Sequence, residues 1–277
     1  MKKIHVLSFL LILNSALFAA EIRIDFTSKL GLSSGSQFAQ LFVPDYYAPP
    51  ADGKFVLVFH FHSATWAAEA EITKSGVNAA LFNIHLGPLS SPYKNYFQDQ
   101  TKFKKILDEI LDILQSRKII QNPAIETLVL TSFSAGYASV REILKVPEYY
   151  QHIDALNLAD GLHCNSDHET MEQQMQDFVR FAKDARDGKK IMLITHSRIQ
   201  TSGYESTTET ADYLIQKIGA TKTPASVQDE IGLQTSACDT GHFYLRGYTG
   251  ETAEDHLKHL YAMHLMLTQA MSILQPK

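Results

Sequence analysis

No excess of positive charge marks this chain: 25 Lys and Arg stand against 30 Asp and Glu, a formal net charge of -5 over 277 residues. That leaves no basic surface to neutralise phosphates and argues against nucleic acid as a partner. No apolar stretch near the start reaches the ~20 residues a spanning helix needs; the run from Val6 to Leu13 is cut by Asn14 and Ser15. No cysteine follows the small residues Ala19 and Ala20, so a lipid-modified N-terminus has no acceptor. Internal repeats and low-complexity linkers are absent too, and one domain over residues 21–277 is expected. Cysteine is confined to Cys164 and Cys238, enough for a single disulfide.

What the N-terminus does have is Lys2 and Lys3, an apolar run and then Ala19-Ala20, the layout of a secretory signal peptide over residues 1–20. Export to the periplasm or the exterior is therefore expected, with a mature chain beginning near Glu21. In that oxidising compartment Cys164 and Cys238 are expected to pair if the fold brings them together.

Along the mature chain, strand-like and helix-like segments alternate. EIRIDF and SQFAQLFVP read as edge strands. KFVLVFHFH is almost unbroken apolar and ends in two histidines, as a central strand covered on both faces would. AALFNIHLG, ETLVLTSFS, IDALNLADG and KKIMLITHS share that character. Between them, Thr101 to Lys118 places Phe103, Ile106, Leu107, Ile110, Leu111 and Leu114 at helical spacing. Ser206-Thr207-Thr208-Glu209 has the form of a capping box. LQTSA and HFYLRGY form a last β region, followed by a closing helix from about Ala253 to Leu274. The pattern predicts an α/β fold: a doubly wound, mostly parallel eight-stranded sheet with helices on both faces.

The sharpest chemical signal is Ser132-Phe133-Ser134-Ala135-Gly136, placed where a predicted strand turns directly into a predicted helix. A nucleophilic serine needs that setting. The tight turn lifts the hydroxyl above the sheet edge, small neighbours avoid clashes, and the helix N-terminus favours developing negative charge. Ser132 stands where the G-x-S-x-G pattern has its first Gly.

With these residues the chain resembles the α/β-hydrolase superfamily, in element order over nearly all of the mature sequence. It is also similar to a group of exported bacterial hydrolase-like proteins in the stretches HFHSATW, SFSAGYASVREIL and AEDHLKHL. The resemblance implies a Ser-His-acid triad in which the acid and the base follow later strands. Ser134 is then the nucleophile. Asp160, at the end of IDALNLADG, is the acid, one strand earlier than the commoner placement; Glu205 and Asp239 are the alternatives. His256, after the last strand and in the first turn of the closing helix, is the base, with His259 and His242 as alternatives. The oxyanion would be held by the N–H of Ala135 and a second N–H at Ser63 or His62. His60 and His62 are read chiefly as orienting that loop.

The expected function is hydrolysis of a small-molecule carboxylic ester through an acyl-enzyme, with no cofactor; amides or peptides are the next choice. Two rival readings stay open. His60, His62, His196 and Asp239 can be written as a zinc site, although no H-E-x-x-H or H-x-H-x-D-H string is present. The fold can also serve as a non-catalytic binding module.

Overall fold

In the computed structural model, which describes residues 20–32 and 35–274, ten strands join in one sheet. They are β1 (Ile22–Asp25), β2 (Phe38–Val43), β3 (Lys54–Phe61), β4 (Ala79–His85), β5 (Ala124–Phe133), β6 (Ala155–Ala159), β7 (Ile191–His196), β8 (Thr223–Gln228), β9 (Leu233–Thr240) and β10 (Phe243–Tyr248). Their spatial order is β1-β2-β4-β3-β5-β6-β7-β10-β9-β8. The segment read as an export signal, apart from Ala20, lies outside the described residues.

The six strands β4, β3, β5, β6, β7 and β10 run parallel, and antiparallel strands close both edges. Helices complete the layers: α1 (Thr65–Ser75), α2 (Ser90–Phe97), α3 (Thr101–Ser116), α4 (Tyr137–Leu144), α5 (Pro147–His152), α6 (His168–Arg186), α7 (Thr207–Ile218), α8 (Ala253–Tyr261) and α9 (Met263–Leu274).

Side-chain alternation along β3 explains the two cores. Phe55, Leu57, Phe59 and Phe61 point to one face, where α2 to α7 bury Phe97, Ile106, Val140, Phe178 and Leu214 against them. Val56 and Val58 point to the other, under α1 and α9. A strand covered on both sides has no polar face, hence the unbroken apolar run in the sequence. The capping box of α7 forms as its sequence suggests: Ser206 Oγ accepts from Glu209 N–H and Glu209 reaches back to Ser206 N–H.

Three expectations need correction. The sheet has ten strands rather than eight. The strand that sequence patterning misses is β8, TPASVQ, an exposed edge with Pro224 in it; it has no buried face to leave an alternating pattern, and proline is tolerated only at such an edge. The closing helix is broken at Ala262, where the buried Glu71 carboxylate accepts the His264 N–H at 3.1 Å and its ring N–H at 2.7 Å, capping α9 from outside. Lastly, Cys164 and Cys238 form no disulfide; both are free and buried. Cys238 lies within β9, in register with Leu245 of β10, and β9 is three strand positions from β6, after which Cys164 follows. The two strands stand roughly 14 Å apart at ordinary strand spacing. Burial pushes the Cys164 thiol up to about 11.

Among the described residues, no helix is long and apolar enough to cross a membrane.

Candidate active site at the sheet edge

Parallel strands deliver their C-terminal ends to one edge, and there the chain places three residues other than glycine at positive φ: His62 (75°) after β3, Ser134 (46°) after β5 and Asp160 (41°) after β6. Such backbone costs on the order of 1–3 kcal/mol per residue and persists only where surrounding packing holds it. For Ser134 the packing is visible in two glycines. A Cβ at Gly136 would lie 2.5 Å from Phe61 O, and one at Gly161 would lie 2.4 Å from both Ser134 N and Ser134 O. Gly136 lets the start of the helix after Ser134 press on β3, and Gly161 lets the loop after Asp160 press on the serine turn itself. Ser132 is fully buried and its Oγ has no partner, so the missing first glycine of the motif is replaced by a side chain that fits without bonding.

Asp160 is 1% exposed. Its Oδ1 accepts from Ser197 N–H at 2.8 Å and from the Thr207 hydroxyl at 2.8 Å, and its Oδ2 accepts from His256 Nδ1 at 2.7 Å. Burial by itself pushes the carboxyl up. The hydrogen bond from His256, the neighbouring His259 and the Ser197 N–H outweigh it and hold Asp160 well below the usual carboxylate range. The acid is thus kept ionised and gripped on both oxygens.

His256 sits in the first turn of α8, whose start is fixed by a reciprocal cap between Thr252 and Asp255. Its ring packs on Phe133 at a centroid distance of 4.4 Å, and Phe133 immediately precedes Ser134. With Nδ1 given to Asp160, Nε2 is the nitrogen left for proton transfer. Among the described residues, no hydrogen bond joins Ser134 Oγ to His256; the His256 ring packs on Phe133, the residue before Ser134, and Gly161 packs on the Ser134 backbone.

The alternatives sit elsewhere or are otherwise engaged. His259, one turn on, is 1% exposed, bonds Thr195 Oγ1 at 2.9 Å and is drawn down to about 4 by burial. His242 lies where β10 begins, at the opposite edge of the sheet, its N–H on Ala185 O. Asp239 is paired with Arg246. Glu205 approaches through its backbone, donating to Cys164 O and accepting from His163 Nδ1.

For the oxyanion, Ala135 follows the serine at the start of a short 3-10 turn leading into α4. His62 cannot supply the second N–H: it is donated to Ile84 O at 3.1 Å, which corrects that choice and leaves Ser63. The His62 ring has a different task. Its Nδ1 is 2.8 Å from Tyr93 Oη, which also accepts from Leu86 N–H and lies 3.3 Å from His85 Nδ1. His62 and His85 are stacked at 5.1 Å. Burial and the nearby His85 draw His62 down to about 4, so it is neutral at physiological pH. Tyr93, fully buried on α2, is therefore the post that holds the loop after β3. Neither it nor His85 carries a motif that a sequence reading picks out.

The zinc alternative is dispersed. His60 is buried within β3 with Nδ1 on Thr131 Oγ1 at 2.8 Å, and burial, with His62 and His85 nearby, lowers it to about 3. His196 lies on β7, three strand positions away, roughly 14 Å, whereas zinc ligands converge within ~2 Å of the ion. Among the described residues, no three His, Cys, Asp or Glu gather as a metal site.

Beside Ser134 opens a cleft of about 490 Å³, lined by Ala135, Tyr137, Arg141, His163 and Tyr204 among others.

No family model matches the sequence, and no curated protein matches it either. Solved structures do. A siderophore hydrolase from Aspergillus nidulans superposes with a TM-score of 0.51 at 11% identity, over 96% of this chain and 99% of that one. The BES protein from Bacillus cereus gives 0.50 at 10% identity, over 95% and 97%. A ferulic acid esterase gives 0.50 at 10% identity, over 91% and 98%. At such identities the likeness is one of fold: the chain has the α/β-hydrolase fold.

Proposed function

We propose that this α/β-hydrolase-fold chain is an exported serine hydrolase that cleaves carboxylic esters through Ser134, His256 and Asp160. The observation that carries the reading is the 2.7 Å contact between His256 Nδ1 and a buried, ionised Asp160, one residue from the glycine that packs on the positive-φ Ser134 turn. A serine hydroxyl is a weak nucleophile at neutral pH and needs a neutral imidazole to take its proton. Asp160 holds that imidazole with its proton on Nδ1, leaving Nε2 as the base.

In the acylation half, Ser134 Oγ bonds to the ester carbonyl carbon while its proton passes to His256 Nε2. The carbonyl oxygen gains the negative charge, for which the N–H groups of Ala135 and Ser63 are the candidate donors. Collapse of that intermediate expels the alcohol, which leaves with the proton from His256. Water then repeats the sequence on the acyl-enzyme, releases the acid and restores Ser134.

That two of the solved structures sharing this fold are named as an esterase and a hydrolase makes ester cleavage the first chemistry to test. The test is a fluorophosphonate probe followed by hydrolysis of p-nitrophenyl esters. Labelling of the wild-type protein at Ser134, absent in Ser134→Ala, is the expected outcome. No labelling, with no ester cleaved, would leave the fold as a binding module.

A further inference from the structure

The cleft beside Ser134 holds a charge that the chain leaves without a counter-ion. Arg141 lies on α4 seven residues beyond the serine, and Ser134, Tyr137 and Arg141 all line the cleft. Tyr137 and Arg141, four residues apart, share one face of α4, and Ser134 stands in the turn just before it. The guanidinium's direct contacts are neutral, and the Glu142 carboxylate acts on it only at a distance: Nη2 donates to the His163 carbonyl, Nη1 donates to Gln174 Oε1 at 3.3 Å, and Cζ stands 4.9 Å from the Tyr137 ring. Its Nε is buried with no partner. Glu142, the adjacent carboxylate, is bound to Lys145.

Several alternatives to an anion-binding role fail on the surroundings. No Asp or Glu lines the cleft, while a second cation, Lys94, does; this in a chain whose formal net charge is -5. His163, lowered by burial, and the Cys164 thiol, raised by burial to about 11, are both neutral at physiological pH. Arg141 is partly buried, its Nε enclosed, and a charge so placed is ordinarily paired, since leaving it unpaired costs desolvation without Coulombic return. Arginine does not discharge to escape that cost. Two cations facing an otherwise uncharged cleft, with the nucleophile at its mouth, therefore wait for a charge from outside.

We infer that the ester cleaved at Ser134 carries a carboxylate, which Arg141 binds across the cleft with Lys94 adding to the positive field. The inference rests on the serine-hydrolase reading and names its substrate class: a half-ester of a dicarboxylic acid, or an ester whose alcohol part bears the carboxylate. A guanidinium presents parallel donors that match a carboxylate, and the site's buried donors penalise a neutral analogue that cannot fill them.

The experiment compares three esters of similarly activated nitrophenols on wild-type protein after subtraction of spontaneous hydrolysis: p-nitrophenyl hexanoate, p-nitrophenyl hydrogen adipate, and the hexanoate ester of 3-hydroxy-4-nitrobenzoate. A kcat/KM at least about tenfold higher for either charged ester over the neutral one is expected; which of the two gains tells whether the acyl or the alcohol part occupies the cleft. In Arg141→Met that charged-to-neutral ratio should fall at least about tenfold, and in Lys94→Gln by a smaller factor. Arg141 also ties the His163 loop, so a poorly folded variant is covered by wild-type protein: adipate should inhibit competitively and the neutral adipamide should not. Equal kcat/KM for all three esters, with no inhibition by adipate, overturns the inference and leaves the hydrolase reading in place. No cleavage of any ester and no fluorophosphonate label removes both.

Discussion

Gly161 and Ser134 are in backbone contact: a single methyl group on Gly161 would stand 2.4 Å from the amide nitrogen and the carbonyl oxygen of the serine. The residue that follows Asp160 thereby fixes the backbone at Ser134. Gly161→Ala is expected to push the two loops apart and destabilise the fold by about 1–3 kcal/mol. Ester hydrolysis should fall far more, by two orders of magnitude or beyond, because misplacement by about 1 Å costs that much in rate. Thermal unfolding measured beside the rate of fluorophosphonate labelling checks this; a labelling rate that tracks stability alone would contradict it.

Ser134→Ala should lower kcat by a factor on the order of 10⁶, as loss of a nucleophile from cooperating residues does, with the fold retained. Ser132→Ala should behave oppositely. Its hydroxyl is buried without a partner, and removing such a group is neutral or stabilises by about 1 kcal/mol. Circular dichroism melts and ester assays on both variants separate the two serines.

Tyr93→Phe deletes the hydroxyl that receives the Leu86 N–H and meets His62 Nδ1. A cost of about 1–3 kcal/mol in stability is expected from the buried donor left unsatisfied. If Ser63 supplies an oxyanion donor, slackening of this loop should depress kcat with little change in KM, since that hydrogen bond strengthens at the transition state. A change confined to KM would remove the loop from the oxyanion site.

Acid should unfold the protein earlier than its carboxylates alone would dictate. His60 and His259 are buried and neutral, drawn down to about 3 and about 4, chiefly by burial, whereas in the unfolded chain each titrates near ~6.5. Between those values the unfolded state binds more protons, so stability is present above pH ~6.5 and is lost as pH falls toward ~4, by about 1.4 kcal/mol per unit for each histidine. The Asp160 carboxyl, held low, adds a loss of the same sign further into acid. In His259→Gln the slope of unfolding free energy between pH 5 and 6 should drop by about 1.4 kcal/mol per unit. An unchanged slope would mean that His259 titrates alike in both states.

The two cysteines should behave as thiols. Unreduced protein denatured in iodoacetamide is expected to take up two alkyl groups by intact mass, and a reducing agent should leave the melting temperature unaltered, since both sulfurs are free. A mass two hydrogens short, with neither alkylated, would show that they had paired.

How much of this was legible beforehand differs by element. The strands β3, β5, β6 and β7 announced themselves because burial on both faces leaves runs that are mostly apolar, with only a few enclosed polar residues such as His60, Thr131 and Asn157, and that is a property of composition alone. β8 did not, because an edge open to solvent places no demand on its side chains. The turn at Ser134 was legible from small residues between a strand and a helix. The pairing of Asp160 with His256 was an inference from element order, and the choice among His242, His256 and His259 rested on loop position.

The sequence by itself determined the alternation of strands and helices, the parallel core of the sheet and the identity of the serine at its sharpest turn, since each is written in contiguous residues obeying local sterics and periodicity. Only the tertiary structure decided which carboxylate meets His256 across 96 residues, that His62 spends its N–H on Ile84 and that Cys164 and Cys238 stay apart. It also decided that Arg141 faces a cleft with no acid in it. These are contacts between segments remote in the chain, set by strand order and by how closely two backbones approach, and no local pattern encodes them.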